Sequence, residues 1–304
     1  MNTVRTTVKL GFIGFGEAAF HIASGLHEEG LAGIVAFDVM AADPQMGPLV
    51  RERAAGAGVT LLPSLKELLA VAEVVLCATS AKYALAIARD AQPFLREGQL
   101  YADLNSASPQ VKKEIAAVVG QTAALFVDTA VMALVPPHRH KVPMAVSGTG
   151  ARRFAERLSP YGMDITYIND RAGSSSAIKM LRSIFVKGLT ALLLEALTAS
   201  RKAGVEAEIM ASITQTLGEQ PFEALANLLL TRTAVAAERR VAEMGEVIST
   251  LQEMGLDSSA SQATRAKLQA LAEMDLKTRF GPKPPAYYTQ VLDAIIERFE
   301  KKEP

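Results

Sequence analysis

The sequence predicts a doubly wound α/β domain with a parallel sheet, followed by an all-helical C-terminal domain joined to it by a long helix. Three observations carry that reading. A glycine-rich turn sits directly behind the first apolar run. Short runs rich in Val, Ile and Leu alternate with amphipathic stretches up to residue 170. Beyond Gly173 no strand-like run appears, and Ala, Leu, Glu, Arg and Lys recur at helical spacing.

The first run, Val8-Lys9-Leu10-Gly11-Phe12-Ile13, leads into Gly14-Phe15-Gly16-Glu17-Ala18-Ala19. A buried strand that turns through Gly-x-Gly into a helix leaves unpaired backbone N–H groups converging on one point. Those donors and the helix dipole make a seat for a pyrophosphate. Gly14 permits the tight turn, Gly16 lets backbone approach the phosphates, and Ala19 suits close packing of helix on strand. Gly14, Phe15, Gly16, Glu17 and Ala18 are therefore candidate cofactor contacts. A second run, Gly33-Ile34-Val35-Ala36-Phe37, ends in Asp38, near the downstream spacing of a ribose-binding acid. A carboxylate there accepts hydrogen bonds from ribose hydroxyls and repels a 2′-phosphate. No Arg or Lys follows until Arg51, so NAD is expected ahead of NADP. The competing reading makes Asp38 a surface cap at a strand end.

Strands are expected at 9–13, 33–37, 60–62, 74–78, 100–103, 125–130, 142–147 and 165–168, with helices at 18–29, 64–71, 82–93 and 109–119. Such alternation implies crossover units and a parallel sheet covered on both faces. Thr79 and Ser80, behind the 74–78 run, are placed with the cofactor. Tyr101-Ala102-Asp103-Leu104-Asn105-Ser106-Ala107-Ser108-Pro109 closes another strand with short polar groups, which at the carboxyl edge of a parallel sheet point into the ligand crevice. Ser108 before Pro109 also reads as a helix N-cap, and both roles can coexist, with Asn105 and Ser106 facing the ligand.

With 304 residues the chain has room for two domains, expected at 1–170 and 171–304. Its 32 basic and 32 acidic side chains cancel, which gives no reason to expect nucleic acid or an anionic membrane as partner. One cysteine, Cys77, excludes an intrachain disulfide and fits a reducing compartment; inside Val74-Val75-Leu76-Cys77 it reads as a small core residue. The apolar stretch 184–197 is interrupted by Lys187 and Glu195 and is too short to span a bilayer, and no secretory pattern is read at the N-terminus. A cytoplasmic protein is expected.

In the helical half, 174–203 reads as one long helix with Ile178, Leu181, Phe185, Leu189 and Leu193 at steps of three and four. Further helices are expected at 206–217, 222–255, 258–274 and 286–302, with a loop at Gly281-Pro282-Lys283-Pro284-Pro285. A long apolar helix of this kind packs either into its own domain's core or against a second copy, and a homodimer through the helical domain is expected.

Lys179 is the candidate catalytic residue. It stands early in the long helix, in Gly173-Ser174-Ser175-Ser176-Ala177-Ile178-Lys179-Met180-Leu181-Arg182-Ser183, with apolar residues on both sides. A lysine partly withdrawn from water near the positive end of a helix is expected to have a lowered pKa, so that it exchanges a proton with a carbonyl oxygen. Ser183 and Lys187 follow at four-residue steps and share its face. The bland alternative is a solvated surface lysine. Pro136-Pro137-His138-Arg139-His140-Lys141 gathers two of the four histidines with two cations. It suits an anionic substrate group through His138 and Arg139, or is a solvated turn; as a metal site it lacks further ligands, and no metal is expected.

Together the glycine-rich start, Asp103-Leu104-Asn105-Ser106 with Pro109, the Asp128-Thr129-Ala130-Val131 run and the 173–179 stretch resemble the β-hydroxyacid dehydrogenase family, the group that includes 3-hydroxyisobutyrate dehydrogenase and relatives of 6-phosphogluconate dehydrogenase. The branch it looks most like is that of phosphogluconate-dehydrogenase-like NAD-binding proteins. The resemblance implies a Rossmann domain joined by a long helix to a helical domain, Lys179 as general acid/base, and Asn105 and Ser106 beside nicotinamide and substrate. Where the family's substrate loop carries Pro-Val-Ser-Gly-Gly, this chain has Ala130-Val131-Met132-Ala133-Leu134, so Met132 and Ala133 fall at the substrate without that hydroxyl. Ser183 replaces the family's Asn, and Arg239-Arg240 stands near its absent Lys-Asp motif, which makes Arg240 a candidate substrate contact.

The expected activity is hydride transfer between NAD(P) and a small, anionic hydroxyacid or its carbonyl counterpart. A dinucleotide-binding sensor or scaffold without chemistry is the alternative, motivated by the altered loop. Imine-reducing relatives usually replace the lysine, and the presence of Lys179 speaks against that variant.

Overall fold

A computed structural model describes residues 8–281 and 283–300. The first half alternates strand and helix: β1 Leu10–Ile13, α1 Glu17–Glu28, β2 Val35–Phe37, α2 Gly47–Gly56, β3 Thr60–Leu61, α3 Leu65–Val71, β4 Val74–Cys77, α4 Ala84–Ala91, β5 Leu100–Asp103, α5 Pro109–Val119, β6 Leu125–Val131, α6 Val135–His138, β7 Met144–Ser147, α7 Ala151–Leu158 and β8 Ile165–Asn169. The eight strands form one sheet in the order β3-β2-β1-β4-β5-β6-β7-β8. From β1 the chain first winds outward through β2 and β3, then returns to the other side of β1 with β4. That reversal opens a crevice at the carboxyl ends of β1 and β4.

β1, β4, β5 and β7 are buried throughout, which is why they read as continuous apolar runs and not as alternating ones. One core layer gathers Leu10, Phe12, Ile22, Leu26 and Phe154; the other gathers Ile13, Leu68, Leu69, Tyr101, Ile115 and Val119. The doubly wound α/β class predicted by the sequence is the one observed. The expectation of a parallel sheet needs one correction: β7 runs antiparallel to β6, with Asp128 opposite Ser147. Between them lie only the four-residue α6 and a 3-10 turn, Arg139–Lys141, so no helix crosses the face of the sheet and the chain turns back. Helices α2 and α7 were not expected. In α7 the charges of Arg152, Arg153, Glu156 and Arg157 mask a core-facing set of Ala151, Phe154 and Leu158.

The second half is helical: α8 Ser174–Ala203, α9 Glu206–Gly218, α10 Phe222–Glu253, α11 Ser259–Ala272, α12 Leu276–Phe280 and α13 Tyr288–Glu300. The expected helix to 302 reaches beyond the described residues in its last two positions. α10 is kinked at Ala236 (φ −130°, ψ 22°), just after Thr231 and Thr233, whose hydroxyls donate to the carbonyls of Asn227 and Leu229 one turn back. The chain divides into two compact units between Ile184 and Phe185. The division falls inside α8, whose first turn is bonded to Asp128 in the middle of β6. In the second unit, Ala234, Leu276, Val291 and Ala294 form a small core, and the Glu195 carboxylate accepts from the backbone N–H of Ala260 (2.9 Å) and Ser261 (3.0 Å) at the start of α11. Along α8, Leu181, Ile184, Phe185, Leu192 and Leu194 stay exposed. Among the described residues no helix is long and apolar enough to cross a membrane.

The segment after α6 packs on the C-terminal end of α1. Arg139 forms a two-pronged pair with Glu28 (2.6 and 2.8 Å), and Lys141 pairs with Glu29 (2.9 Å). His140 is buried between them, and a Cβ on Gly25 would lie 2.0 Å from its Nδ1. Burial holds the His140 pKa below the ordinary histidine value, with Glu29 acting in the opposite direction. Two outcomes follow. Gly25→Ala destabilises the protein by about 1–3 kcal/mol in chemical unfolding, because the ring must shift. A folded-state pKa lower than the unfolded one means that His140 contributes full stability above about pH 6.5, and that this contribution falls as the unfolded chain takes up the proton first. Urea unfolding between pH 7.5 and 5 should therefore show a steeper acid loss for the native sequence than for His140→Gln.

Candidate active site

The glycine turn forms as its residues demand. Gly14 sits at φ +81°, and a Cβ there would lie 2.5 Å from Thr79 Cγ2 and 2.7 Å from the Ala78 carbonyl oxygen, so both its conformation and its surroundings exclude a side chain. Gly16 is the N-cap of α1 and supplies no side-chain cap; a Cβ on it would meet nothing within 4 Å. Glu17 and Ala18 behind it are exposed, so the first turn of α1, whose N–H groups have no partner within the helix, offers the cradle an anion needs. At the end of β2, Asp38 accepts from the backbone N–H of Phe15 (2.7 Å) through one carboxylate oxygen and from Met40 N–H (2.8 Å) through the other. It therefore caps its own turn and also braces the glycine turn.

Asn105 follows β5 and is buried. Its Oδ1 accepts from Thr79 N–H (2.9 Å), and its Nδ2 donates to Asp103 Oδ1 (2.5 Å), which ties the ends of β4 and β5 together. Ser80 lies exposed in the next turn. Ser106 turns outward, and Lys179 Nζ donates to its hydroxyl at 2.6 Å. Lys179 is half-buried on α8. Ser183, one turn further on, donates back to the Lys179 carbonyl (3.0 Å).

The structure thus brings Thr79, Asn105, Ser106 and Lys179 into one connected group at the carboxyl edge, in the same sheet edge as the Gly14–Asp38 turn. It does not bring Arg139 there. Arg139 is neutralised by Glu28 at the last residue of α1, whereas the glycine turn is at the first; twelve residues of helix separate them, about 18 Å. The hydrogen-bonded Arg139 also holds Glu28 below the usual carboxylate range. Arg139 is thus held in a packing contact, while His138 beside it is exposed. Met132 and Ala133 follow β6, the first half-buried and the second exposed, and the Met132 N–H donates to the Pro143 carbonyl (2.8 Å). Arg240 belongs to the second unit, on α10, where its Nε is buried without a hydrogen-bond partner among the described residues; Arg239 beside it pairs with Glu243.

Sequence reasoning missed the group that anchors this edge. Lys112, on α5, is fully buried. Its Nζ lies 2.7 Å from Asp103 Oδ2 and 3.3 Å from Asp128 Oδ1, and donates to the Asp103 carbonyl at 2.7 Å. Asp128 Oδ2 also accepts from Gly173 N–H and Ser176 N–H, both at 3.1 Å, while the Ser176 hydroxyl donates to Oδ1 (2.5 Å). Ser175 donates to the Asp128 carbonyl (2.7 Å), and its N–H bonds Ser147 (3.0 Å). Gly173 at φ +91° lets the chain pass the Pro109 carbonyl, which a Cβ would approach to 2.9 Å. The signal that could have found this group is the pair of acids, Asp103 at the end of one apolar run and Asp128 inside another.

Cys77 is fully buried. Burial, with the nearby Asp103 charge, pushes its thiol up to about 12, so it is no nucleophile at neutral pH.

A Rossmann-type α/β sheet with this glycine turn, continued by a helical half, defines the class of protein. The domain of unknown function DUF1932 matches residues 200–271. A conserved hypothetical protein from Sinorhizobium meliloti 1021 is 37% identical over 87% of this chain and 88% of its own, with a TM-score of 0.63. A conserved protein whose structure is reported as similar to 3-hydroxyacid dehydrogenases is 32% identical over 88% of this chain and 97% of its own, with a TM-score of 0.61. A variant imine reductase from Myxococcus stipitatus in complex with NAD+ shares the fold at a TM-score of 0.75, with 16% identity over 94% of this chain and 100% of its own. The chain belongs to the β-hydroxyacid dehydrogenase family.

The thiol supplies a direct check on the packing of this edge. Cys77 should resist a disulfide reagent in the folded protein at pH 8 and react fully once denatured; fast reaction in the native state would mean that the ends of β4 and β5 are open.

Proposed function

We propose that the protein is an NAD(P)-dependent oxidoreductase that interconverts a small hydroxyacid and its carbonyl counterpart, with Lys179 as general acid/base. The observation that carries the reading is the 2.6 Å hydrogen bond from Lys179 to Ser106, because it sets a half-buried amine beside a polar turn at the carboxyl edge of the sheet. The residues present fit a dinucleotide. The open first turn of α1 beyond Gly16 would take the pyrophosphate, Asp38 the adenosine ribose hydroxyls, and Thr79, Ser80 and Asn105 the nicotinamide side. A bound nicotinamide supplies the two-electron donor or acceptor. Lys179 then gives a proton to the substrate oxygen in reduction and takes it back in oxidation, while Ser106 orients the amine and Ser183 lines the same helix face.

NAD is preferred in this reading, because the Asp38 carboxylate would stand where NADP carries a phosphate. Solved reductases of the same fold hold NAD+ in one complex and NADPH in another, so the fold accommodates either. The apolar residues exposed on α8 suit a homodimer through the helical half, and a single buried thiol suits the cytoplasm.

One observation favours a second reading, a dinucleotide-binding sensor. In the loop after β6 the Met132 N–H is already used by Pro143, and Met132, Ala133 and Leu134 offer no hydroxyl to a substrate. Turnover of any hydroxyacid or aldehyde in a broad screen would remove it.

Lys179→Ala should lower turnover by about 10²–10⁴-fold while NADH affinity stays near that of the native chain. Undiminished turnover would take Lys179 out of the mechanism. By fluorescence titration NADH should bind more tightly than NADPH, and Asp38→Ser should narrow the gap; equal affinities in the native chain would overturn the assignment of Asp38.

A further inference from the structure

Beneath Lys179 runs a buried polar chain that the proposed proton transfer leaves unused. It passes from Thr79 N–H to Asn105, from Asn105 to Asp103, and from Asp103 through the Lys112 ammonium to Asp128. It ends on Gly173 and Ser176 at the start of α8. The three charged side chains are at most 1% exposed. Asp103 and Asp128 are direct register partners on β5 and β6, so their carboxylates stand side by side in a medium of low dielectric. Two bare charges at that separation repel strongly, and the Lys112 cation removes the repulsion. A buried ion group is weak evidence for stability, since apolar packing often serves as well; its best attested use is to hold parts in register.

The two ends of the Lys179–Ser106 contact show which parts are held. Ser106 lies three residues after Asp103 on the segment leaving β5. Lys179 lies three residues after Ser176 on α8, hence next to it on the helix surface. Each partner is therefore anchored, at the same short distance along the chain, to one of the two carboxylates that Lys112 bridges. We infer that Lys112 is a positioning residue: by joining Asp103 to Asp128 it sets the first turns of α8 against the end of β5 and so places the Lys179 amine on Ser106. The catalytic consequence rests on the general acid/base reading above, whereas the placement itself does not.

The experiment compares the native full-length chain with Lys112→Met, which removes the cation and keeps the bulk, and with Ser176→Ala, which removes one hydroxyl bond to Asp128. Three quantities are read: the rate of reductive methylation at Lys179 by mass spectrometry, NADH affinity by fluorescence, and the melting temperature. Positioning requires both variants to be methylated at Lys179 about tenfold faster, as loss of one hydrogen bond made by a charged group would give. Their NADH affinity should be retained. A methylation rate equal to native, with only the melting temperature lowered, reduces Lys112 to a structural role and overturns the inference. Should Lys112→Met fail to fold, Ser176→Ala decides by the same criterion. Absence of NADH binding in the native chain would defeat the oxidoreductase reading instead, and the methylation rates would still decide the placement.

Discussion

Two carboxylates side by side inside the protein set the terms for the rest of this sheet edge. Asp103 and Asp128 occupy the same register level of neighbouring strands, shielded from water. Ionised and unpaired, they could not both be held there. The chain answers with one ammonium, two backbone N–H groups and serine hydroxyls, drawn from α5, α8 and β7. Each donor brings its own element to that point. The start of the long helix is consequently bonded to the sheet, and the compact first unit runs on to Ile184.

The antiparallel β7 belongs to the same arrangement. A parallel strand would have needed a crossover helix over the face of the sheet, and the stretch after β6 has none long enough. Turning back instead, β7 lays Ser147 opposite Asp128, where its hydroxyl meets both the carboxylate (3.3 Å) and Ser175 (3.0 Å). The same turn-back carries Arg139, His140 and Lys141 onto α1. There Glu28 and Glu29 neutralise the two cations, at the opposite end of the helix from the glycine turn. A cluster that looks like an anion trap along the chain becomes a clasp once folded.

The loop after β6 carries no side-chain hydroxyl. Met132, Ala133 and Leu134 present apolar side chains, and the backbone N–H of Met132 is spent on Pro143. Under the proposed function, recognition of a substrate would fall to other polar groups at the edge, of which Ser106 and Lys179 are already joined.

The sequence by itself determined the strands, the glycine turn, Asp38 at the end of β2 and the long helix from Ser174. These depend on local patterns: apolar runs, period 3.6 spacing and the conformations that only glycine tolerates. Local pattern also put Lys179 early in that helix. What the tertiary structure alone decided was the partner of each charge. Lys112 reads as one more surface lysine in an amphipathic helix, since nothing within α5 reveals the acids that wait on β5 and β6. Arg139 reads as free, since Glu28 lies 111 residues away. Charge pairing is a contact between distant segments, and only the fold brings those segments together.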